Sequence, residues 1–586
     1  MSGQSWRLSD LDESLVEVLG ARLGVRPLMA RMLVSRGLVE LESVGRFLNP
    51  RLQDLRPPAG IRDLGVALDR LCRALDGHER LGVFGDYDAD GVTSAALLTG
   101  ALRAFGGAVI PRVASRHAGY GLPAAAIEAF AEEGCRVVVT GDCGTSDVEA
   151  LNRARALGLD VIVIDHHQVP SGDKLAHALI NPFQDGDTFP FKGLASCGIA
   201  FYLMAALRSR LGRVQIDMRQ FLDLVALGTI ADLVPLVDEN RILVAAGLKT
   251  MATRARPGLR ALMELARVQD GPVTEDDVSF RLAPRLNAAG RLGEAQLALD
   301  LLLASTDAEA GRLAAELDDV NRERQRIQEQ VWVAALAELE RDPELAAAGP
   351  GHAGAIVLGG EGWHPGVVGI VAARLVDRFH KPAVVIGFEG GQGRGSARTV
   401  PGVNLYEALA ACREHLVRFG GHAAAAGVTL VPERLADFRR AFNLHLLNLG
   451  HLTNDAGAAE GAGDRGAPSA STVTVDGILD LAELNLALAE ELARLGPFGV
   501  SNREPVLAVA GVRTTGTRVV GQGHLQLSIT CGGAHAEAIG FNMAGQDPGS
   551  GAELDVIGMA DLDIFRGNRR ARLRVKHLLR PRTPPS

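Results

Sequence analysis

The stretch Leu81 to Leu98, LGVFGDYDADGVTSAALL, constrains the fold more than any other. It opens with an apolar run of strand length, Leu81 to Phe84. Asp86, Asp88 and Asp90 follow on alternate residues, the chain turns at Gly91, and small residues with helical spacing continue from Thr93. Three carboxylates projected from the end of one buried strand repel one another unless a cation sits among them. Oxygen ligands of this kind suit a divalent metal. DYDADG also resembles the start of an EF-hand loop, whose twelfth position needs a bidentate Glu; counting from Asp86, that position is Leu97. The segment before the loop also reads as a strand, so the EF-hand fails. A solvated acidic turn explains this stretch only if no other acidic cluster accompanies it.

Others do. From about 78 to 235 short apolar strands (81–84, 136–140, 161–167) alternate with helices (93–105, 123–133, 147–157). That alternation predicts a parallel sheet covered on both faces, with ligands beyond the strands' carboxyl ends. At those ends stand Gly141-Asp142-Cys143-Gly144 and Asp165-His166-His167, and Asp232 lies late in the helical-looking run 221–236. Taken singly, an Asp after a strand is a helix cap and a His pair is core. Taken together they form an Asp/His set that suits Mn²⁺ or Mg²⁺ better than a closed zinc site, which favours Cys and His.

The totals agree. With 586 residues, three or four domains are expected, and 47% hydrophobic residues supply their cores. Six scattered cysteines without a CxxC pair disfavour zinc ribbons and disulfide scaffolds. No secretory signal is visible, and the longest apolar stretch, Leu194 to Leu207, is too short to cross a bilayer. The expectation is a cytoplasmic protein that engages no membrane. A net charge of −9 disfavours a general polyanion binder but leaves room for a local basic groove.

The rest of the chain divides into an N-terminal helical region (1–77), the α/β domain (78–240), a helical connector with a long spacer helix (241–345), a second α/β domain (346–448), a flexible linker (449–470) and a β-rich region (471–582). Arg116 and Tyr120 follow an expected strand at Ala108 to Val113. The connector carries arginines at 254, 256, 260 and 267, then RLAPRLNAAGRL with Arg281, Arg285, Asn287 and Arg291, readable as a phosphate-tracking surface or a solvated loop. From about 307 to 341 Leu313, Leu317, Val320, Ile327, Val331 and Ala335 share one helix face. In the second α/β domain Gly395-Ser396-Ala397-Arg398 and Gly420-Gly421-His422 set glycine beside phosphate-capable donors. The last region reads as a small OB-like barrel, made basic by Arg569, Arg570, Arg572, Arg574 and Lys576. Aromatics are sparse there (Phe541, Phe565), so backbone charge rather than stacking would dominate nucleic-acid binding.

DYDADG, GDCG, DHH and GTIADLVPL resemble the successive motifs of the DHH phosphoesterase superfamily, and APRLNAAGRL resembles its single-strand-specific exonucleases. One departure is Phe84, where many members carry a His; one metal then leans on Asp86 or on water. The resemblance implies a parallel-sheet DHH domain joined by a long helix to a DHHA1-type domain and an OB-fold. It implies two ions, Mn²⁺ or Mg²⁺, held by Asp86, Asp88, Asp90, Asp142, His166 and Asp232. Asp142 would bridge, Asp165 would orient His166, and His167 would bond to the scissile phosphate. Arg116, Ser396 and Arg398 would hold a terminal 5′ phosphate, His422 would contact the scissile region, and Tyr120, Arg285, Asn287, Arg291 and Gly421 would join them in nucleic-acid binding. The implied activity is 5′→3′ hydrolysis of single-stranded DNA to mononucleotides in repair and recombination, by a monomer working beside a helicase and a single-strand-binding protein. Two other readings remain open: a phosphodiesterase of short oligonucleotides or cyclic dinucleotides, and a non-catalytic single-strand-binding scaffold.

Overall fold

A computed structural model describes residues 5–116, 119, 121–170, 172, 174–212, 216–341, 354–456, 472–521, 523–565 and 568–581. The chain forms two compact units: Met1–Val113, Gly121–Ala283 and Arg465–Ser586 make the first, and Ala114–Tyr120 with Pro284–Asp464 make the second.

In the first unit a short strand, β1 (Trp6–Leu8), precedes N-terminal helices. The α/β sheet follows: β2 (Arg80–Gly85), β3 (Ala108–Val113), β4 (Cys135–Gly141), β5 (Asp160–Ile164) and β6 (Ala178–Ile180). All are parallel, in the order β3-β2-β4-β5-β6. The Val/Ile runs of the central strands β4 and β5 are buried on both faces, as helix-covered parallel strands require, while the edge strand β3 is mostly half-buried. The chain runs outward from β2 to β3, then crosses back to β4, so the order reverses between β2 and β4. Loops diverge at such a reversal and leave a crevice at the carboxyl ends. Helix Ala89–Ala104 leaves β2 through that crevice.

The second unit carries β7 (Ile356–Glu361), β8 (Ala383–Glu389), β9 (Gln392–Arg398), β10 (Arg418–Gly421) and β11 (Ala425–Leu430) in the order β10-β11-β9-β8-β7. Only β7 and β8 pair in parallel. Helix Asp307–Arg341 is long, as its periodicity predicts, but it is more than a spacer. Val331, Trp332, Ala335 and Leu339 join Ile356, Leu358, Val371 and Leu375 in one core, so its last turns belong to this domain. Its middle buries Asp318, Asn321 and Arg324, which an apolar stripe does not foretell.

The remaining strands of the first unit are β12 (Val473–Val475), β13 (Gly477–Ile478), β14 (Leu507–Val520), β15 (His524–Cys531), β16 (Ala534–Gly540), β17 (Glu553–Phe565) and β18 (Asn568–Leu579). The order β14-β15-β16-β18-β17 returns to β14 through a β14–β17 pairing, closing a five-stranded OB barrel. Its core is shared: Leu507, Val509, Leu527 and Val556 pack in one cluster with Val16, Leu19, Met29 and Leu33 of the N-terminal helices. Strand β1 pairs in parallel with β12, and Trp6 Nε1 donates to Asp555 Oδ2 at 2.7 Å. The basic end of the barrel differs from expectation. Arg570 pairs with Asp563 at 2.8 Å, Arg572 with Asp561 at 3.0 Å, Arg569 with Glu490 at 2.9 Å, and Arg574 with Glu504. Acids across the strand pair from Arg570 and Arg572, and acids from a helix and a loop at Arg569 and Arg574, offset the charge that the sequence run suggests. Among the described helices none is long and apolar enough to cross a membrane.

Candidate metal centre

Three strand ends are held in step by the sheet itself. The backbone N–H of Asp86 donates to Gly141 O at 3.1 Å, that of Asp142 to Ile164 O at 2.9 Å, and that of Asp165 to Ile180 O at 3.2 Å. Each motif therefore continues the ladder by one bond past its strand, which sets the acids side by side. Asp142 sits at φ +67°, a left-handed conformation uncommon outside glycine that turns the chain sharply at the strand's end. Glycines give the room. A Cβ on Gly91 would meet Asp86 N at 2.4 Å, and one on Gly141 would meet Ser94 Cβ at 2.6 Å.

Asp88 caps helix Ala89–Ala104, its Oδ1 accepting from Asp90 N at 3.0 Å and Gly91 N at 3.1 Å. Asp90 is held by a segment that sequence reasoning missed: Ser196 N donates to its Oδ2 at 2.7 Å and Cys197 N to its Oδ1 at 3.0 Å. Ser196 Oγ also donates to Asp142 Oδ1 at 3.2 Å. The available signal was the small-residue run LASCGIAF, whose first helical turn begins at Ser196. His166 Nε2 lies 3.3 Å from Asp142 Oδ1 and 3.4 Å from Asp232 Oδ2. Asp232 immediately follows helix Leu222–Ala231. Phe84 is buried in β2 and offers no ligand.

Among the described residues, three sets have ligand atoms within 4.8 Å of one another: Asp86, Asp88 and Asp142; Asp90, His166 and Asp232; and Asp142, His166 and His167. Asp142 belongs to two of them. Both carboxylate oxygens of Asp86, Oδ2 of Asp232 and Nε2 of His166 are buried without a hydrogen-bond partner. Such atoms are expensive unless a cation completes them, and hard oxygen donors with one or two imidazoles fit Mn²⁺ or Mg²⁺. The electrostatics say the same. Burial pushes the Asp232 carboxyl up to about 9, with Asp90 and Asp88 adding to the shift. Burial and then the charge of Asp88 raise Asp86 and Asp142 well above the carboxylate range. Burial lowers His166, keeping its imidazole neutral as a ligand must be.

Asp165 differs from the expected arrangement. Its Oδ1 accepts from the backbone N–H of His166 at 2.8 Å and of His167 at 3.1 Å, but the ring it meets is that of His167, with Nδ1 at 2.7 Å. Backbone geometry turns the first His toward Asp142 and Asp232 and the second back onto Asp165. Against the effect of burial, the His167 bond holds Asp165 down at about 2, and Asp165 in turn raises His167. Asn181, donating to His167 O at 2.8 Å and Thr145 Oγ1 at 3.2 Å, braces the loop.

The second unit holds a separate polar group. Arg116 Nε donates to Gly290 O at 3.2 Å, and Arg291 Nη1 to Gly366 O at 3.2 Å. Arg398 Nη1 donates to Ser396 Oγ at 2.8 Å, and a Cβ on Gly369 would stand 3.0 Å from that Oγ. Helix Val368–Phe379 thus begins against Ser396 and Arg398, and a helix N-terminus favours an anion there. Burial lowers the Arg398 pKa. Gly421 takes φ +133°, and His422 N donates to Ala425 O at 2.8 Å. Arg285 pairs with Asp318 at 2.9 Å, while Asn287 lies in helix Ala283–Leu292. Tyr120 lies outside the described residues. Several other arginines are scaffold: Arg256 pairs with Asp223 at 2.8 Å, and Arg281 donates to Arg267 O at 2.7 Å.

Fold and site together define a DHH-type phosphoesterase. Family models match at 80–229 (DHH family, N-terminal domain), 351–446 (DHHA1 domain) and 475–577 (RecJ OB domain). The chain belongs to the RecJ family of single-stranded-DNA-specific exonucleases. It is 35% identical to the RecJ of Bacillus subtilis over 98% of this chain and 71% of that one. It is likewise 35% identical to the Escherichia coli RecJ, over 93% of this chain and 94% of that one. The crystal structure of RecJ in complex with Mn²⁺ from Thermus thermophilus superposes with a TM-score of 0.80 at 30% identity, covering 99% of this chain and 80% of that one. Its Mg²⁺ complex gives a TM-score of 0.75.

Proposed function

We propose that this chain hydrolyses single-stranded DNA from its 5′ end, releasing 5′ mononucleotides, with two Mn²⁺ or Mg²⁺ ions. The observation that carries the reading is the buried Asp/His cluster, with its unpartnered oxygens and imidazole nitrogen, at the sheet's switch point. Two bound ions lower the pKa of an attacking water and stabilise charge on the phosphate.

The chain's own residues do the rest. Asp86, Asp88 and Asp142 would hold one ion and Asp90, His166 and Asp232 the other, and Asp142 also lies within reach of His166. Ser196 N–H and Cys197 N–H keep Asp90 aimed, and Asp165 keeps a proton on Nδ1 of His167. Asp165 raises the pKa of His167, which favours the protonated ring as a donor to a non-bridging phosphate oxygen. In the second unit Arg116, Ser396 and Arg398 bind the terminal 5′ phosphate. Members of the RecJ family are named for single-stranded DNA, and the OB barrel is a fold suited to it.

The test uses single strands labelled at either end, with Mn²⁺. Wild type should free 5′-labelled mononucleotides before any 3′ label, and leave duplex intact. Asp142→Ala should lose about three orders of magnitude or more in rate, as expected when a bound ion is lost. Label released first from the 3′ end, or full activity in the variant, would overturn the proposal.

A further inference from the structure

The first unit contains a second cationic site, away from the acids described above. A cavity of about 740 Å³ opens among the N-terminal helices, the start of helix Asp238–Ala252 and the loop before β14. Arg36, Arg46, Arg56, Arg241 and Arg503 line it, against a single carboxylate, Asp238. Two of the five are already neutralised: Arg56 pairs with Asp238 at 2.9 Å and Arg503 with Asp476 at 2.6 Å. The other three meet only neutral oxygens. Arg36 Nε donates to Asn502 Oδ1 at 3.0 Å, Arg46 Nη2 to Asp54 O at 3.1 Å, and Arg241 to the carbonyls of Phe47, Leu495 and Arg494 at 2.9, 2.9 and 3.1 Å. Among the described residues none of these three is in an ion pair.

Arg241 is 2% exposed and lies 3.8 Å from the centre of the Phe47 ring. Burial and the neighbouring Arg36 charge lower its pKa to about 10. A buried guanidinium without an ion pair is costly, and carbonyl dipoles only partly offset that cost. An anion entering the cavity completes the set. Guanidinium forks match phosphate oxygens bidentately, and a phosphomonoester dianion answers more than one of them at once. The cavity is far larger than an inorganic phosphate and falls in the range of small-molecule sites. Leu38, Phe47 and Ile242 add an apolar wall for a flat ring.

We propose that this cavity binds a small phosphomonoester of nucleotide size, in a site separate from the metal centre. The inference goes beyond the exonuclease reading and stands without it.

The test is calorimetric titration of the full chain carrying Arg398→Gln, in excess chelator, so that neither the metal centre nor the second-unit pocket contributes. The probes are 5′-dAMP, deoxyadenosine and inorganic phosphate. Saturable binding of 5′-dAMP, stronger than either fragment, is expected. Arg46→Gln and Ser43→Asp should each weaken it by about tenfold or more. Ser43 lines the mouth and is exposed, so its charge variant keeps the fold and isolates the electrostatic effect. Equal binding in wild type and both variants, phosphate or deoxyadenosine binding as tightly as 5′-dAMP, or no binding at millimolar 5′-dAMP would each overturn the proposal.

Discussion

At the scale of single residues, two carboxylates of the metal centre, one after a strand and one after a helix, are driven in opposite directions. Asp165 receives the N–H groups of His166, His167 and Thr145 together with the His167 ring, so its charge is satisfied. Asp232 has a buried unpartnered oxygen and like charges nearby, so its charge is not. Asp165→Asn keeps the shape but gives up one acceptor, so either Thr145 N–H or the His167 side faces an NH₂ group. Manganese affinity, read by titration of activity, should fall about 10- to 100-fold, with folding unaltered. Asp232 makes a pH prediction. Its folded pKa of about 9 lies above the unfolded value, so the folded chain binds the extra proton. The stability this gives is complete below the ordinary carboxylate pKa and is lost as pH rises through about 9. Melts in chelator should therefore show stability falling by about 1 kcal/mol per pH unit between about pH 7.5 and 9. Saturating Mn²⁺, which favours the ionised carboxylate, should abolish that slope. A slope that survives the metal would show that Asp232 is not a ligand.

At the scale of elements, the junction of β2 with helix Ala89–Ala104 decides the site. Helix and strand meet so closely that Gly85, Gly91 and Gly141 each stand where a Cβ would strike backbone or a packed side chain. For Gly91 the obstacle is the Asp86 backbone itself, which cannot move without moving a ligand. Gly91→Ala should cost about 1–3 kcal/mol or more by urea unfolding and should weaken metal binding as well. The same element shows how far local reading reaches. The strand, the helix and the alternating acids follow from apolar period, glycine and cap chemistry. That Asp90 is fixed by Ser196 and Cys197 does not, because that contact joins segments about a hundred residues apart through backbone N–H groups that any residue except Pro provides.

At the scale of the whole chain, its ends are entangled. β1 pairs with β12, the N-terminal helices share the barrel's core, and Trp6 packs with Val475, Ala508, Ile557 and Leu579. Trp6→Ala, far from the acids, should lower stability by about 3–5 kcal/mol in denaturant unfolding of the full chain. A loss below about 1 kcal/mol would mean that the N-terminal strand contributes nothing to the barrel. The shared core also explains why a region read as simply helical carries a strand: Trp6–Leu8 is too short to be recognised until β12 is present to pair with it.

Sequence alone determined the parallel sheet, the second α/β domain, the barrel and the class of chemistry. Those rest on short-range period and on residue types, such as Asp86, Asp90 and Asp142, that few folds tolerate in buried positions without a metal. Tertiary structure alone decided which His faces Asp165, and that Arg570 and Arg572 of β18 are neutralised by acids on the neighbouring strand β17. It also decided that Arg36, Arg46 and Arg241 converge on one cavity. Charge acts through space, and distance along the chain carries no information about which charges meet.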